Sequence, residues 1–224
     1  MAKNIIIIGA GPSARDILDI FEANNEFHKE EIFKILGFVV ESEFFIENKI
    51  INGYPLLGDF EYLKNLKEDF EVIVAFGKSE LRRQVVMKVN EIGCKFTNII
   101  HPSVIITKNY EMGIGNAISA GTIISNNVKI GNHIQINLAA TIGHDDRIDD
   151  FVTISPGAHI SGNVHIEEGA FLGVGANTVE KINIGKWSVL AAGSTLFNNL
   201  ESNKTALGVP AKIILSKDEG WHLK

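Results

Sequence analysis

The chain has 224 residues, 45% of them hydrophobic, and a formal net charge of -6. Length and apolar content suit one or two domains with real cores, while the acidic balance leaves no footprint for nucleic acid. Cys94, the single cysteine, can form no internal disulfide, and the opening apolar run is too short for a signal peptide or membrane span, so a cytoplasmic protein with no membrane partner is expected.

The first hundred residues alternate strand-like and helix-like stretches, the pattern of a parallel α/β sheet. Residues 5–8 read as a buried strand ending at Gly9-Ala10-Gly11, and Pro12 opens a helix whose Ala14, Ile17, Leu18 and Phe21 share a face. A second strand is expected over 35–40, ending at Glu41. After the turn signals Asn52-Gly53 and Gly58-Asp59, a short helix over 60–67 leads to a strand over 72–76, closed by Gly77. Ser79 reads as the N-cap of a helix carrying Leu81, Val85, Val89 and Ile92 on one side, and Gly93 as its stop. The strand 95–99 then runs without a linker into different territory, which places the domain boundary at 1–99 and 100–224.

From Ile100 onward a large aliphatic residue returns every six positions: Ile106, Met112, Ile118, Ile124, Ile130, Ile136, Ile142, Ile148, Ile154, Ile160, Ile166, Leu172, Ile184, Leu190 and Leu196. Thr178 interrupts the series, and Val179 beside it suggests a register shift of one residue. A period of six fits neither a helix nor simple strand alternation. It is the hexapeptide β-helix signature, in which three hexapeptides close one coil of about eighteen residues. After Leu196 the coil ends, Gly208-Val209-Pro210-Ala211-Lys212 turns the chain, and a short tail follows.

Two stretches carry chemistry. Gly9-Ala10-Gly11-Pro12-Ser13-Ala14 resembles a phosphate-binding turn at a helix start, since glycines admit a ligand to the backbone and helix N–H groups receive phosphate oxygens. Gly9, Gly11, Ser13, Ala14, Glu41 and Gly77 are therefore candidate substrate-binding residues. Glu41 follows Gly11 by 30 residues rather than the ~20 of a dinucleotide fold, which argues against NAD. His144-Asp145-Asp146 follows the inward Ile142, where packing calls for no imidazole; a carboxylate-steered general base is the functional reading. Adjacent side chains on a straight strand face opposite ways, so Asp145 reaches His144 only if the chain bends there, and Asp146 stays an alternative. His133, His159 and His165 lie at outward or corner positions; no two histidines of the repeat are 18 apart, so no metal site within one chain is expected.

The Gly9-Ala10-Gly11 turn, the Ile99-Ile100-His101-Pro102-Ser103 junction, Ile142-Gly143-His144-Asp145 and Gly208-Val209-Pro210-Ala211-Lys212 together resemble the hexapeptide sugar acetyltransferases. These include bacterial sialic acid O-acetyltransferases and N-acetyltransferases of nucleotide-linked 4-amino sugars. The resemblance implies a small Rossmann-like α/β domain holding the acceptor's nucleotide, then a left-handed parallel β-helix that forms a homotrimer, with acetyl-CoA between neighbouring subunits and no metal. It implies catalytic roles for His144 and Asp145, with Asn137 close by. It also implies that Gly162, Val174 and Ala192 meet the pantetheine arm and that Lys212 lies near the nucleotide end of CoA. Two departures stand out: Thr153 replaces a second histidine found in many members, and Val40-Glu41 replaces a pair of acids. The expected activity is acetyl transfer from acetyl-CoA to the amine of a nucleotide-activated amino sugar. The alternatives are sugar O-acetylation, a non-catalytic trimeric nucleotide-sensing scaffold, and a metal-dependent hydratase.

Overall fold

A computed structural model describes residues 2–223. The first domain is a sheet of β1 (Lys3–Ile8), β2 (Phe33–Val39), β3 (Ile50–Ile51), β4 (Tyr54–Gly58), β5 (Glu71–Val74) and β6 (Lys95–Phe96), in the order β3-β4-β2-β1-β5-β6. Neighbours run parallel except for the β3–β4 hairpin, whose turn residues Asn52 and Gly53 both take the positive φ that a tight hairpin requires. The last four residues of β1, Ile5 to Ile8, are buried on both faces of the sheet.

Helix α1 (Pro12–His28) starts at Pro12 with Gly11 as N-cap and buries Ala14, Ile17, Leu18 and Phe21. Helix α2 (Phe60–Asn65) is capped by the Asp59 side chain, which accepts from the Glu61 N–H at 3.0 Å. Helix α3 (Ser79–Ile92) differs from its sequence reading in two ways. Lys78 is the N-cap and Ser79 the first helical residue, its hydroxyl 3.2 Å from that of Thr153. The buried face holds Arg82 together with Val85, Val86 and Val89, while Leu81 is exposed. The physical reason is that α3 packs against a second body as well as its own sheet, and that body presents backbone carbonyls that only a donor can satisfy.

That body is a left-handed parallel β-helix. Short strands stack on three faces with a register step of eighteen residues, as in Ile99↔Ala117↔Gln135↔Thr153↔Phe171↔Val189. The repeating aliphatics fill the prism, and Ile118, Ile124, Ile136, Ile154, Ile166, Leu172 and Leu190 are fully buried. Each such side chain contributes on the order of 1.5–3 kcal/mol of transfer free energy. Three residues after most inward positions the chain turns a corner in the left-handed region: Asn127 (φ 60), His133 (54), Asp145 (61), Phe151 (60), Lys181 (60) and Trp187 (55) among them. Thr178 does not shift the register as its neighbour suggested. It points inward, pairs with Leu196, and its hydroxyl accepts the Ser161 N–H at 3.1 Å, so a polar residue is satisfied in the aliphatic column.

The two bodies meet side by side. The outward residues of the first face, Ile99, Ala117, Gln135 and Thr153, are all buried, and Ile99 and Ala117 join the core under α1. The tail is ordered: Lys204–Gly208 and Ala211–Ser216 form an antiparallel hairpin, and Trp221–Leu223 make a 3₁₀ turn near α3 with His222 stacked on Trp187. Among the described residues no helix is long and apolar enough to cross a membrane.

Candidate active site

The corner at Asp145 supplies the bend that a straight strand lacks. With Asp145 at φ 61, its Oδ2 reaches His144 Nδ1 at 2.7 Å, and Asn127, one coil away, donates to Oδ1 at 3.2 Å. Hydrogen bonds from His144 and Asn127 hold the Asp145 carboxyl below the usual carboxylate range. Between Asp145 and Asp146, the steering acid is therefore Asp145. The His144 side chain remains 58% exposed, so Nε2 is open to a substrate once Nδ1–H is committed to Asp145.

Beneath the ring lies Gly162. A Cβ there would stand 2.6 Å from His144 Nε2 and 2.7 Å from Cε1. The absence of a side chain is what lets the imidazole lie against the next coil. Asp146 turns inward and is buried; its Oδ1 accepts the Val164 N–H at 2.8 Å. Burial raises its pKa to about 7 against the opposing N–H groups of Val164 and Gly143.

A second feature lies in the first domain, where Gly9, Gly11, Glu41, Phe44, Lys49 and Phe76 help to line a cavity of about 500 Å³. Gly9 holds φ 109, and a Cβ there would meet the Phe76 ring at 3.1 Å, whereas Gly11 faces open space. Glu41 is paired with Lys88 of α3. The hydroxyl of Ser13 faces Gly77. Ala14 is a correction: its methyl is fully buried and its N–H bonds the Gly11 carbonyl at 3.1 Å, so it packs α1 instead of facing a ligand.

Arg82, 0% exposed, joins the two regions. Its guanidinium donates to the carbonyls of Phe76 (2.6 Å), His133 (2.7 Å), Phe151 (2.7 Å) and Val152 (3.0 Å) and to Thr153 Oγ1 (2.9 Å). Burial lowers its pKa to about 9. Thr153 Oγ1 in turn donates to the Gly77 carbonyl at 2.9 Å, so Thr153 is a strut under the Gly77 turn. His133 does sit at a corner, but it is buried there, stacked on Phe151 and edge-on to Phe96, because the first domain covers that corner.

Within one chain the remaining candidates lie apart from His144. Asn137 donates to the Ile154 carbonyl and lines a cleft with Asp16, Asp19, His101 and Leu138. Val174 and Ala192 stack eighteen residues apart in the same column as Leu138, while Gly162 belongs to the column of His144. Lys212 is exposed on the terminal hairpin, opposite Leu207. Asn127 and Arg82 were missed. The eighteen-residue step from Asp145 could have found Asn127, whereas nothing local marks Arg82 as buried.

Residues 4–89 match the PglD N-terminal domain family. The whole chain superposes on a mutant of perosamine N-acetyltransferase from Caulobacter crescentus in complex with CoA and GDP-perosamine, with a TM-score of 0.85, 28% identity, and 97% and 99% of the two chains covered. Over its whole length the chain is similar to solved sugar acetyltransferases of the hexapeptide-repeat kind. The acetyltransferase domain of PglB from Neisseria gonorrhoeae in complex with acetyl coenzyme A is a further match, with 27% identity, TM-score 0.85, and 96% and 100% coverage. WeeI from Acinetobacter baumannii, at 24% identity and TM-score 0.84 over 95% and 100% of the two chains, shares the fold. No curated protein matches by sequence.

Proposed function

We propose that the protein transfers an acetyl group from acetyl-CoA to the amine of a nucleotide-activated amino sugar, with His144 as general base. The observation that carries this reading is the 2.7 Å contact between His144 Nδ1 and Asp145 Oδ2 on an exposed corner. With Nδ1–H directed at Asp145, Nε2 carries the lone pair. It takes the amine proton as nitrogen attacks the thioester carbonyl; the C–N bond forms, the C–S bond breaks, and CoA leaves as the thiol after protonation. Asp145 stabilises the imidazolium formed on the way. The glycine-lined cavity at Gly9 and Gly11 is the proposed seat of the nucleotide, and the solved relatives that hold CoA and GDP-perosamine or acetyl coenzyme A support both ligand classes.

The same reading takes the active unit to be a homotrimer. One chain keeps Asn137, Val174 and Ala192 on a different corner from His144, and apolar Ile105, Ile123, Leu138 and Val174 are exposed along the face between those corners. Packing that face against a neighbouring copy would cover them and bring the two half-sites together. Gly162, Val174, Ala192 and Lys212 are then the proposed contacts of CoA.

The test follows thiol release from acetyl-CoA against UDP-, dTDP- and GDP-linked 4-amino sugars. His144→Ala is expected to lose about 10²–10⁴-fold in kcat while acetyl-CoA binding stays unchanged. Undiminished turnover in that variant would sink the assignment, and silence of the wild type across the panel would sink the acceptor class.

A further inference from the structure

The stacked coils contain an internal control for Asp146. Asn98 and Asn116 are buried or half-buried at corners of the β-helix, and each makes the same two bonds. The side-chain oxygen accepts the N–H eighteen residues on (Asn116 at 2.8 Å, Ile134 at 2.7 Å), and the side-chain nitrogen donates to the carbonyl fifteen residues on (Gly113 at 2.7 Å, Gly131 at 2.9 Å). Thr122, four residues after inward Ile118, likewise donates fifteen residues on, to the Asn137 carbonyl at 3.2 Å. Asp146 stands at the equivalent step, four residues after inward Ile142. Its Oδ1 makes the first bond, to the Val164 N–H eighteen residues on at 2.8 Å. Its Oδ2 takes the place of the donating nitrogen and is buried with no hydrogen-bond partner among the described residues. Ser161 stands fifteen residues on, the step at which Asn98 and Asn116 reach a carbonyl in the earlier coils.

We infer that Asp146 is held as a neutral carboxylic acid whose Oδ2–H donates to the Ser161 carbonyl and so fixes the peptide on which His144 rests. Against a carbonyl at that step an ionised oxygen would set lone pair against lone pair, whereas a proton would make a bond of it. The side chain is 1% exposed and stacks between Val128 and Val164, which offer no compensation. Burial opposes ionisation; the N–H groups of Val164 and Gly143 and the charge of His144 favour it, and Asp145 opposes it. Arg147 and His165 face outward and pair with Asp149 instead. Ser161 is joined to Gly162, the residue under the imidazole, which makes Asp146 a positioning residue for His144. That last link rests on the acetyl-transfer reading; the protonation state does not.

The sign of the pH dependence follows from a carboxyl pKa raised on folding. The unfolded state ionises first, near the ordinary 3.8, so stability from this group is full below that pH and declines until about pH 7. Asp146→Asn supplies the amide found at Asn116 and does not titrate. Thermal melts from about pH 5 to about pH 8.5 are expected to show its midpoint rising relative to wild type as pH increases. A gap that stays constant, or closes towards alkaline pH, overturns the inference. An infrared pH titration of the wild-type protein is the second measurement, and it needs no variant. A carboxylic acid band persisting above about pH 5.5, where ordinary carboxyls have ionised, is expected, and its absence overturns the protonated state. If the protein is also an active transferase, Asp146→Asn is expected within about threefold of wild-type kcat near pH 6 and to lack the wild-type loss at higher pH. Matching profiles in an active enzyme overturn the positioning role alone, while an inactive wild type overturns the acetyl-transfer reading and leaves the melts and the infrared titration standing.

Discussion

Gly162→Ala tests the seat of the imidazole directly. Gly162 is not among the glycines at positive φ, so alanine suits its backbone and loses less chain entropy on folding. The added methyl carbon would stand 2.6, 2.7 and 3.0 Å from Nε2, Cε1 and Cδ2 of His144. Ordinary carbon contacts lie at about 3.5–4.0 Å, so the ring must withdraw by about 1 Å. It is free to do so, being more than half exposed, which keeps the stability change within about 1 kcal/mol. The withdrawal costs the 2.7 Å bond to Asp145 and the aim of Nε2, and a displacement of that size lowers turnover by about 10²-fold. Steady-state kinetics with acetyl-CoA and the accepted amino sugar, beside a thermal melt, provide the assay. The expected pattern is a fall in kcat, and a rise in KM for acetyl-CoA beside it would report the proposed contact of Gly162 with CoA. Gly157→Ala is the control, since Gly157 holds φ 64 with nothing near its absent Cβ, and it should lower stability by about 1 kcal/mol without touching kcat. Unaltered kcat in Gly162→Ala would refute the seating argument.

Arg82→Leu removes the donor from four carbonyls at the domain junction and should cost about 3–5 kcal/mol in urea unfolding; a loss below about 1 kcal/mol would show that the junction is not held by the guanidinium. His133 has its pKa lowered to about 4 by burial and by Arg82, so the unfolded state takes up a proton that the folded state refuses. Stability from this group is therefore full above about pH 6.5 and lost as pH falls towards 4, by about 3 kcal/mol, and His133→Phe should flatten that loss in denaturant titrations. Gly169→Ala would place a methyl 2.2 Å from the Trp187 indole at a φ of 68; loss of the buried tryptophan's environment should appear in fluorescence together with a lower melting temperature.

The sequence by itself determined the architecture wherever a local rule repeats. An aliphatic residue every six positions can be buried at every recurrence only in a three-faced prism, and the run from Ile5 to Ile8 beside Gly9 could only be a covered strand before a tight turn. It also marked His144, because no packing demand explains an imidazole there, and left Asp145 and Asp146 undecided because the choice hangs on one φ. Tertiary structure decided what depends on contact across coils and between bodies. The left-handed corner turned Asp145 onto His144 and sent Asp146 inward, and the eighteen-residue step brought Asn127 and Gly162 to the pair. Docking of α3 on one face of the prism made Arg82, His133 and Thr153 interior residues. Nothing in their neighbours along the chain announces this, since burial of a polar side chain is set by the acceptors that surround it, and those come from residues roughly fifty to eighty positions away in the chain.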